Sequence, residues 1–217
     1  MRFLLVEGIT DVNFVRYIYT TMSDENCFDD FAPKGRDKII TFENSRHRNL
    51  KIINLKGQDN LETALINILK PMERKIKTIG ILTDADKDFE NSKEEVETAI
   101  NNSKIDKNKF IPFLTPNNKE EGNLEKLLLS TLDKKNIPQL QCFQQYKKCL
   151  MKDISNIEQR AIYKHEVEAY IKFSEKPRQR NQAQFSFIDN GVDTGLWDLS
   201  KKEFEPIISF VKSIFGS

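Results

Sequence analysis

Four short apolar runs constrain this chain more than any other feature: residues 3–6, 51–55, 77–82 and 110–114. Each is too short for a helix of ordinary length, and the third, Lys77-Thr78-Ile79-Gly80-Ile81-Leu82, is partly β-branched, as in a strand covered on both faces. Helical periodicity fills the gaps between them. Glu7-Gly8-Ile9-Thr10-Asp11 turns the chain after the first run, and Thr10 or Asp11 caps a helix to about Met22, with Val12, Val15, Ile18, Tyr19 and Met22 on its apolar face. After the second run, Asp59 or Asn60 opens a helix to about Leu69, striped by Leu61, Leu65, Ile68 and Leu69. After the third, Ser92 caps a helix to about Asn102. Pro112 lacks a ladder donor and puts the fourth strand at a sheet edge. The order β-α-β-α-β-α-β predicts an α/β fold of Rossmann type, a mostly parallel sheet flanked by helices.

The connections are less regular. Residues 23–50 are polar, with Ile39-Ile40-Thr41-Phe42 as a short edge strand or hairpin arm. Beyond residue 115 the strand signal fades. Helical patterns cover 123–129, 138–151, 157–173 and 204–215, and residues 174–190 read as a surface loop. The expected organisation is an α/β core over 1–115 and a helical C-terminal elaboration over 116–217 packed on it.

Composition excludes several classes. With 31% charged residues, 38% hydrophobic residues and no apolar run of membrane-spanning length, the chain reads as soluble, without a membrane partner. Cys27, Cys142 and Cys149 are odd in number and lack metal spacing, which fits a reducing cytoplasm. Cys142 and Cys149 are seven positions apart on one helix and are expected to be buried. The formal net charge of +1 supplies no global basic field, so any nucleic acid must meet a local patch. Two stretches offer one: Arg46, His47, Arg48 and Lys51, and Lys176, Arg178 and Arg180. A solvated surface is the plainer reading of both. His165 has no second histidine at ligand spacing and reads as a surface or packing residue; Trp197 reads as core.

The chemistry concentrates at two strand ends. Thr83-Asp84-Ala85-Asp86-Lys87-Asp88 follows the third run, and ligand sites of open parallel sheets lie beyond the carboxyl ends of the strands. Alternating carboxylates repel one another unless a cation lies between them, and oxygen ligands suit a hard ion such as Mg²⁺ or Mn²⁺. Alone, this pattern also describes a solvated acidic loop that caps the next helix. Lys87 either tempers the repulsion or touches a phosphate.

Leu5-Val6-Glu7-Gly8-x-x-Asp11 at the first strand end, paired with Asp84-x-Asp86-x-Asp88 at the third, resembles the Toprim domain of topoisomerases, primases and several nucleases. The resemblance covers about residues 1–115. It implies that Glu7 is a general acid/base or a metal ligand, that Asp84 and Asp86 bind Mg²⁺, and that Asp88 is a third acidic position. Gly8 permits the tight turn, and Asp11 either supports a ligand or caps the helix, the cap being favoured. The chain also resembles small stand-alone Toprim-like proteins in a Gly-x-Leu-Glu stretch, here Gly122-Asn123-Leu124-Glu125. Glu125 there either completes the cluster or is an exposed first-turn glutamate. The implied function is Mg²⁺-dependent hydrolysis of a phosphodiester in DNA or RNA. The alternative is a non-catalytic module that binds metal and nucleic acid within a larger complex, beside a protein partner such as an ATPase. The chain has no Walker loop of its own.

Overall fold

A computed structural model describes residues 1–23, 31–34, 39–153, 159–174, 187–189, 192–193 and 195–216. Its centre is a sheet of six strands: β1 (Arg2–Val6), β2 (Phe31–Lys34), β3 (Ile40–Asn44), β4 (Leu50–Asn54), β5 (Thr78–Asp84) and β6 (Phe110–Thr115). They lie in the order β2-β3-β4-β1-β5-β6. β4, β1, β5 and β6 run parallel, whereas β3 is antiparallel to both β2 and β4. The fold is therefore α/β with a mostly parallel sheet. The parallel half follows from the helices between its strands, because parallel neighbours need a crossover. The central strand β1 is buried on both faces: Phe3 and Leu5 enter one core, and Leu4 and Val6 the other. Pro112 does sit on an edge strand, since β6 pairs only with β5.

Helices cover each face. Helix α1 (Ile9–Met22) packs with Val12, Phe14, Val15 and Ile18 on the face that holds Leu4, Val6 and Leu82. On the other face α2 (Leu61–Ala64) and α3 (Phe89–Ser103) bury Leu61, Leu65, Val96 and Ile100 against Ile53, Ile79 and Ile81. Each fully buried side chain of this size contributes about 1.5–3 kcal/mol. The helix expected over 59–69 changes character along its length. Its α-helical part is short, residues Leu65–Leu69 form a wide π turn, and Lys70–Lys75 form a 3₁₀ turn with Pro71 near its start. Pro71 has no N–H to continue an α-helical ladder.

The C-terminal part comprises α4 (Leu124–Ser130), α5 (Pro138–Asp153), α6 (Gln159–Lys172), the two-residue strands β7 (Ile188–Asp189) and β8 (Val192–Asp193), and α7 (Glu205–Phe215). α7 is a layer of the core itself. It lies against α1, β1, β5 and β6, and Phe210 stacks on Phe113 with ring centroids 5.1 Å apart. A Cβ on Gly80 would stand 2.8 Å from both Ile214 and Leu4, so this glycine is what lets α7 approach the sheet so closely. Trp197 is core, as expected, and its carbonyl accepts a 2.7 Å bond from the Tyr17 hydroxyl. Among the described residues no helix is long and apolar enough to cross a membrane.

Three expectations are corrected. Residues 31–34 lie in the stretch read as irregular, yet they form the edge strand β2, antiparallel to β3, so the stretch read as an edge strand or hairpin arm is the hairpin arm and lies inside the sheet. The N-cap of α3 is Asp88, whose side chain accepts from Asn91 N–H; Ser92 lies within the helix and donates to the Ala85 carbonyl. Cys142 and Cys149 are exposed: heptad spacing gives them a common face of α5, and that face is turned to solvent. Cys27 and the Lys176, Arg178 and Arg180 stretch lie outside the described residues.

Candidate metal centre at the carboxyl ends of β1 and β5

β1 and β5 are paired neighbours in register, Val6 beside Leu82, so Glu7 and Asp84 emerge at the same end of the sheet. Gly8 is the N-cap of α1, and Asp11 reaches back so that its Oδ2 accepts the Gly8 N–H at 2.8 Å. The expected cap at Thr10 or Asp11 is thus corrected: the cap position is Gly8, and Asp11 is the third residue of the helix, its side chain reaching back to the Gly8 N–H while its carboxyl also turns toward Glu7. Asp84 is only 8% exposed. Its Oδ1 accepts from Thr115 Oγ1 at 2.6 Å and from Leu124 N–H at 3.2 Å, which ties the end of β5 to β6 and to the start of α4. Leu124 is held there because Asn123 caps α4 through its Oδ1. This arrangement brings the adjoining Glu125 into range.

The result is four carboxylates from four elements: Glu7 after β1, Asp11 on α1, Asp84 on β5 and Glu125 on α4. Their mutual repulsion is visible in the titration of two of them. Burial, then the charges of Asp11 and Glu7, and less strongly that of Glu125, push Asp84 well above the usual aspartate range, while the Thr115 hydrogen bond opposes the shift. Asp11 is pushed up to about 7, first by burial and then by Glu7, against the stabilising Gly8 amide. Asp11 keeps part of its surface in solvent, yet its carboxyl lies deep enough among protein atoms for burial to be the leading cause. Charges this crowded hold protons or a cation.

The other acidic positions go elsewhere. β5 ends at Asp84, and Asp86 takes the left-handed region (φ 49°) with its N–H bonded to the Gly122 carbonyl at 2.8 Å. The i, i+2 alternation puts side chains on one face only while a strand continues, and here it stops. Asp86, Lys87 and Asp88 instead line an open cleft of ≈430 Å³ beside the cluster, with Asn91, Asn123 and Lys126. Lys87 and Asp88 are exposed, and Asp88 is engaged as the α3 cap. Asn123 is 2% exposed, and its Nδ2 has no hydrogen-bond partner among the described residues. Lys126 donates to the Glu121 carbonyl and lies 3.5 Å from Glu120. His47 and Lys51 are on the far part of the sheet, Lys51 being 3.7 Å from Glu43, and His165 is an exposed residue 3.2 Å from Glu168.

A hard divalent cation fits the chemistry of the quartet, since every donor is a carboxylate oxygen. Among the described residues no group of three or more acidic, histidine or cysteine side chains stands in a preformed ligand arrangement. Asp11, Thr115 and Asn123 received little weight in the sequence. The available signal was position, since Asp11 follows Glu7 by one helical turn and Thr115 ends the strand beside Asp84.

A family model described as "Protein of unknown function (DUF3226)" matches residues 1–216. No curated protein and no solved structure matches the chain.

Proposed function

The chain belongs to the DUF3226 family, and from its carboxylate site we propose that it hydrolyses phosphodiester bonds in nucleic acid with Mg²⁺ or Mn²⁺ bound. The observation that carries this reading is the convergence of Glu7, Asp11, Asp84 and Glu125 at the carboxyl ends of two parallel strands, with Asp84 and Asp11 raised first by burial and then by the neighbouring carboxylates. The paired Glu7-Gly8 and Asp84-x-Asp86 motifs, which resemble Toprim, point the same way.

Asp84 would hold the cation, with Glu7, Asp11 and Glu125 adding negative charge around it. A bound divalent ion supplies neutralisation of the phosphate and a lower pKa for water. The Thr115 hydroxyl and Leu124 amide keep the Asp84 carboxyl oriented. Glu7, which follows the strand beside β5, moves the proton of the attacking water. The Asn123 amide and Lys87, lining the adjoining cleft, serve as donors to phosphate oxygens. Asp86 and Asp88 sit at the cleft wall, where they bias the site toward substrates that bring a cation with them.

The test is cleavage of labelled single- and double-stranded DNA and RNA with Mg²⁺ or Mn²⁺, comparing wild type with Asp84→Asn, which keeps acceptors for Thr115 and Leu124. The reading expects metal-dependent cleavage that the variant loses. Equal activity in both would remove the quartet from the reaction. A second reading, a metal- and nucleic-acid-binding module working with a protein partner such as an ATPase, is favoured by the formal net charge of +1, which supplies no global basic field. Metal-dependent binding without cleavage would select it.

A further inference from the structure

α5 and α6 pack side by side and leave a groove of ≈400 Å³ between them. Its floor is Ile162 and Leu150; its walls are Phe143, Tyr146, Lys147 and His165. Tyr146 is 57% exposed, an unusual position for a tyrosine with no packing duty, and Phe143 meets it edge-on with centroids 5.9 Å apart. The groove is not isolated from the carboxylate site. Lys147 Nζ lies over the Tyr163 ring, 5.8 Å from its centroid, and Tyr163 also lines the cleft that holds Asp86 and Asn123. The groove and the cleft thus meet at the Lys147–Tyr163 pair.

Composition identifies the occupant. Lys147 and His165 line the groove, and Lys148 and Lys164, next to them in the chain, are exposed on the same two helices. The acidic Glu168 is engaged with His165 at 3.2 Å. Flat aromatic faces interleaved with cations match an unpaired polynucleotide, whose bases stack while its phosphates meet lysines. A purely apolar partner helix would leave these lysines without counter-charges. We propose that the α5–α6 groove binds single-stranded nucleic acid. Tyr146 stacks on a base, Lys147 and Lys148 hold the backbone, and the strand runs past Tyr163 toward the carboxylate cleft. The last step rests on the nucleic-acid reading of that cleft; the binding itself does not.

The experiment is fluorescence anisotropy of a labelled 20-nucleotide oligothymidylate, and of a duplex of equal length, titrated with full-length protein in EDTA. Wild type should bind the single strand more tightly than the duplex. Tyr146→Ala should weaken single-strand binding roughly 5- to 100-fold, the range for losing one stacked base. Tyr146→Phe, which keeps the ring, should bind like wild type. Lys147→Ala/Lys148→Ala should weaken binding and reduce the dependence of log K on log salt by about 1. The titration in EDTA involves neither metal nor cleavage, so a failure of the cleavage reading stays separate from a failure of this one. No binding by wild type, or wild-type affinity in both Tyr146→Ala and the lysine variant, overturns the proposal. A wild-type dimer that becomes monomeric in Tyr146→Ala also overturns it, by giving the groove to a second copy of the chain.

Discussion

Asp11→Asn should stabilise the metal-free protein, and the gain should grow with pH. Asp11 titrates at about 7 in the fold against an ordinary 3.8. The sign follows from proton counting. Between these two values the folded chain holds a proton that the unfolded chain has lost, so unfolding becomes easier as pH rises. Below 3.8 the effect vanishes, and above about 7 it is complete. At about 1.4 kcal/mol per pKa unit, the full shift amounts to about 4 kcal/mol. Part of the Asp11 surface meets solvent, so the lower half of that figure, about 2 kcal/mol, is the working expectation. Asparagine keeps an acceptor for the Gly8 N–H and carries no charge, so it removes this cost while retaining the cap. Urea unfolding of both proteins in EDTA at pH 5 and pH 8 measures it. The stability difference in favour of the variant should widen by about 1–3 kcal/mol across that range, equivalent to several degrees in Tm for a chain of this size. A difference that is independent of pH, or a variant that loses stability equally at both, would refute the claim that Asp11 is buried against Glu7 and Asp84.

Three further predictions probe the rest of the account. Glu7→Gln should lower single-turnover cleavage by roughly 10²–10⁴-fold while changing Mn²⁺ affinity much less than Asp84→Asn does; a large affinity loss would instead make Glu7 mainly a ligand. Gly80→Ala should cost about 1–3 kcal/mol in chemical denaturation by driving α7 from the sheet, and an unchanged midpoint would contradict the close approach of Ile214 and Leu4. Asp88→Ala should cost about 1 kcal/mol through its lost cap, with Asp88→Asn near wild type in both stability and Mn²⁺ affinity; a large loss of metal binding in Asp88→Asn would restore the third aspartate to the cluster.

Much of the fold was written in the spacing of apolar residues. The strands through β1, β4, β5 and β6 and the helices between them follow from it, as does Pro112 on an edge. The hairpin that extends the sheet was harder to read, because Phe31-Ala32-Pro33-Lys34 has no alternation and contains a proline, a pattern that only an edge strand tolerates. The apolar stripe of α7 told what it buries but not against which layer. At the site, the two strand ends located Glu7 and Asp84 as neighbours. The alternation of Asp84, Asp86 and Asp88 was misleading in one respect: it presumed an extended backbone, and the left-handed turn at Asp86 sends the later aspartates to the cleft. The cluster is completed instead by Asp11, through helix-start geometry, and by Glu125, through the bond from Leu124 N–H to Asp84.

Calorimetric titration of Mn²⁺ at pH 7 in buffers of different ionisation enthalpy tests the central claim most directly. Asp11 is raised to about 7 and Asp84 well above its usual range, each first by burial and then by the neighbouring carboxylates. A cation entering their site displaces any proton bound there. Binding should be accompanied by proton release, and both should be lost in Glu7→Gln/Asp84→Asn. No binding, binding without proton release, or unchanged binding by the double variant would contradict that claim.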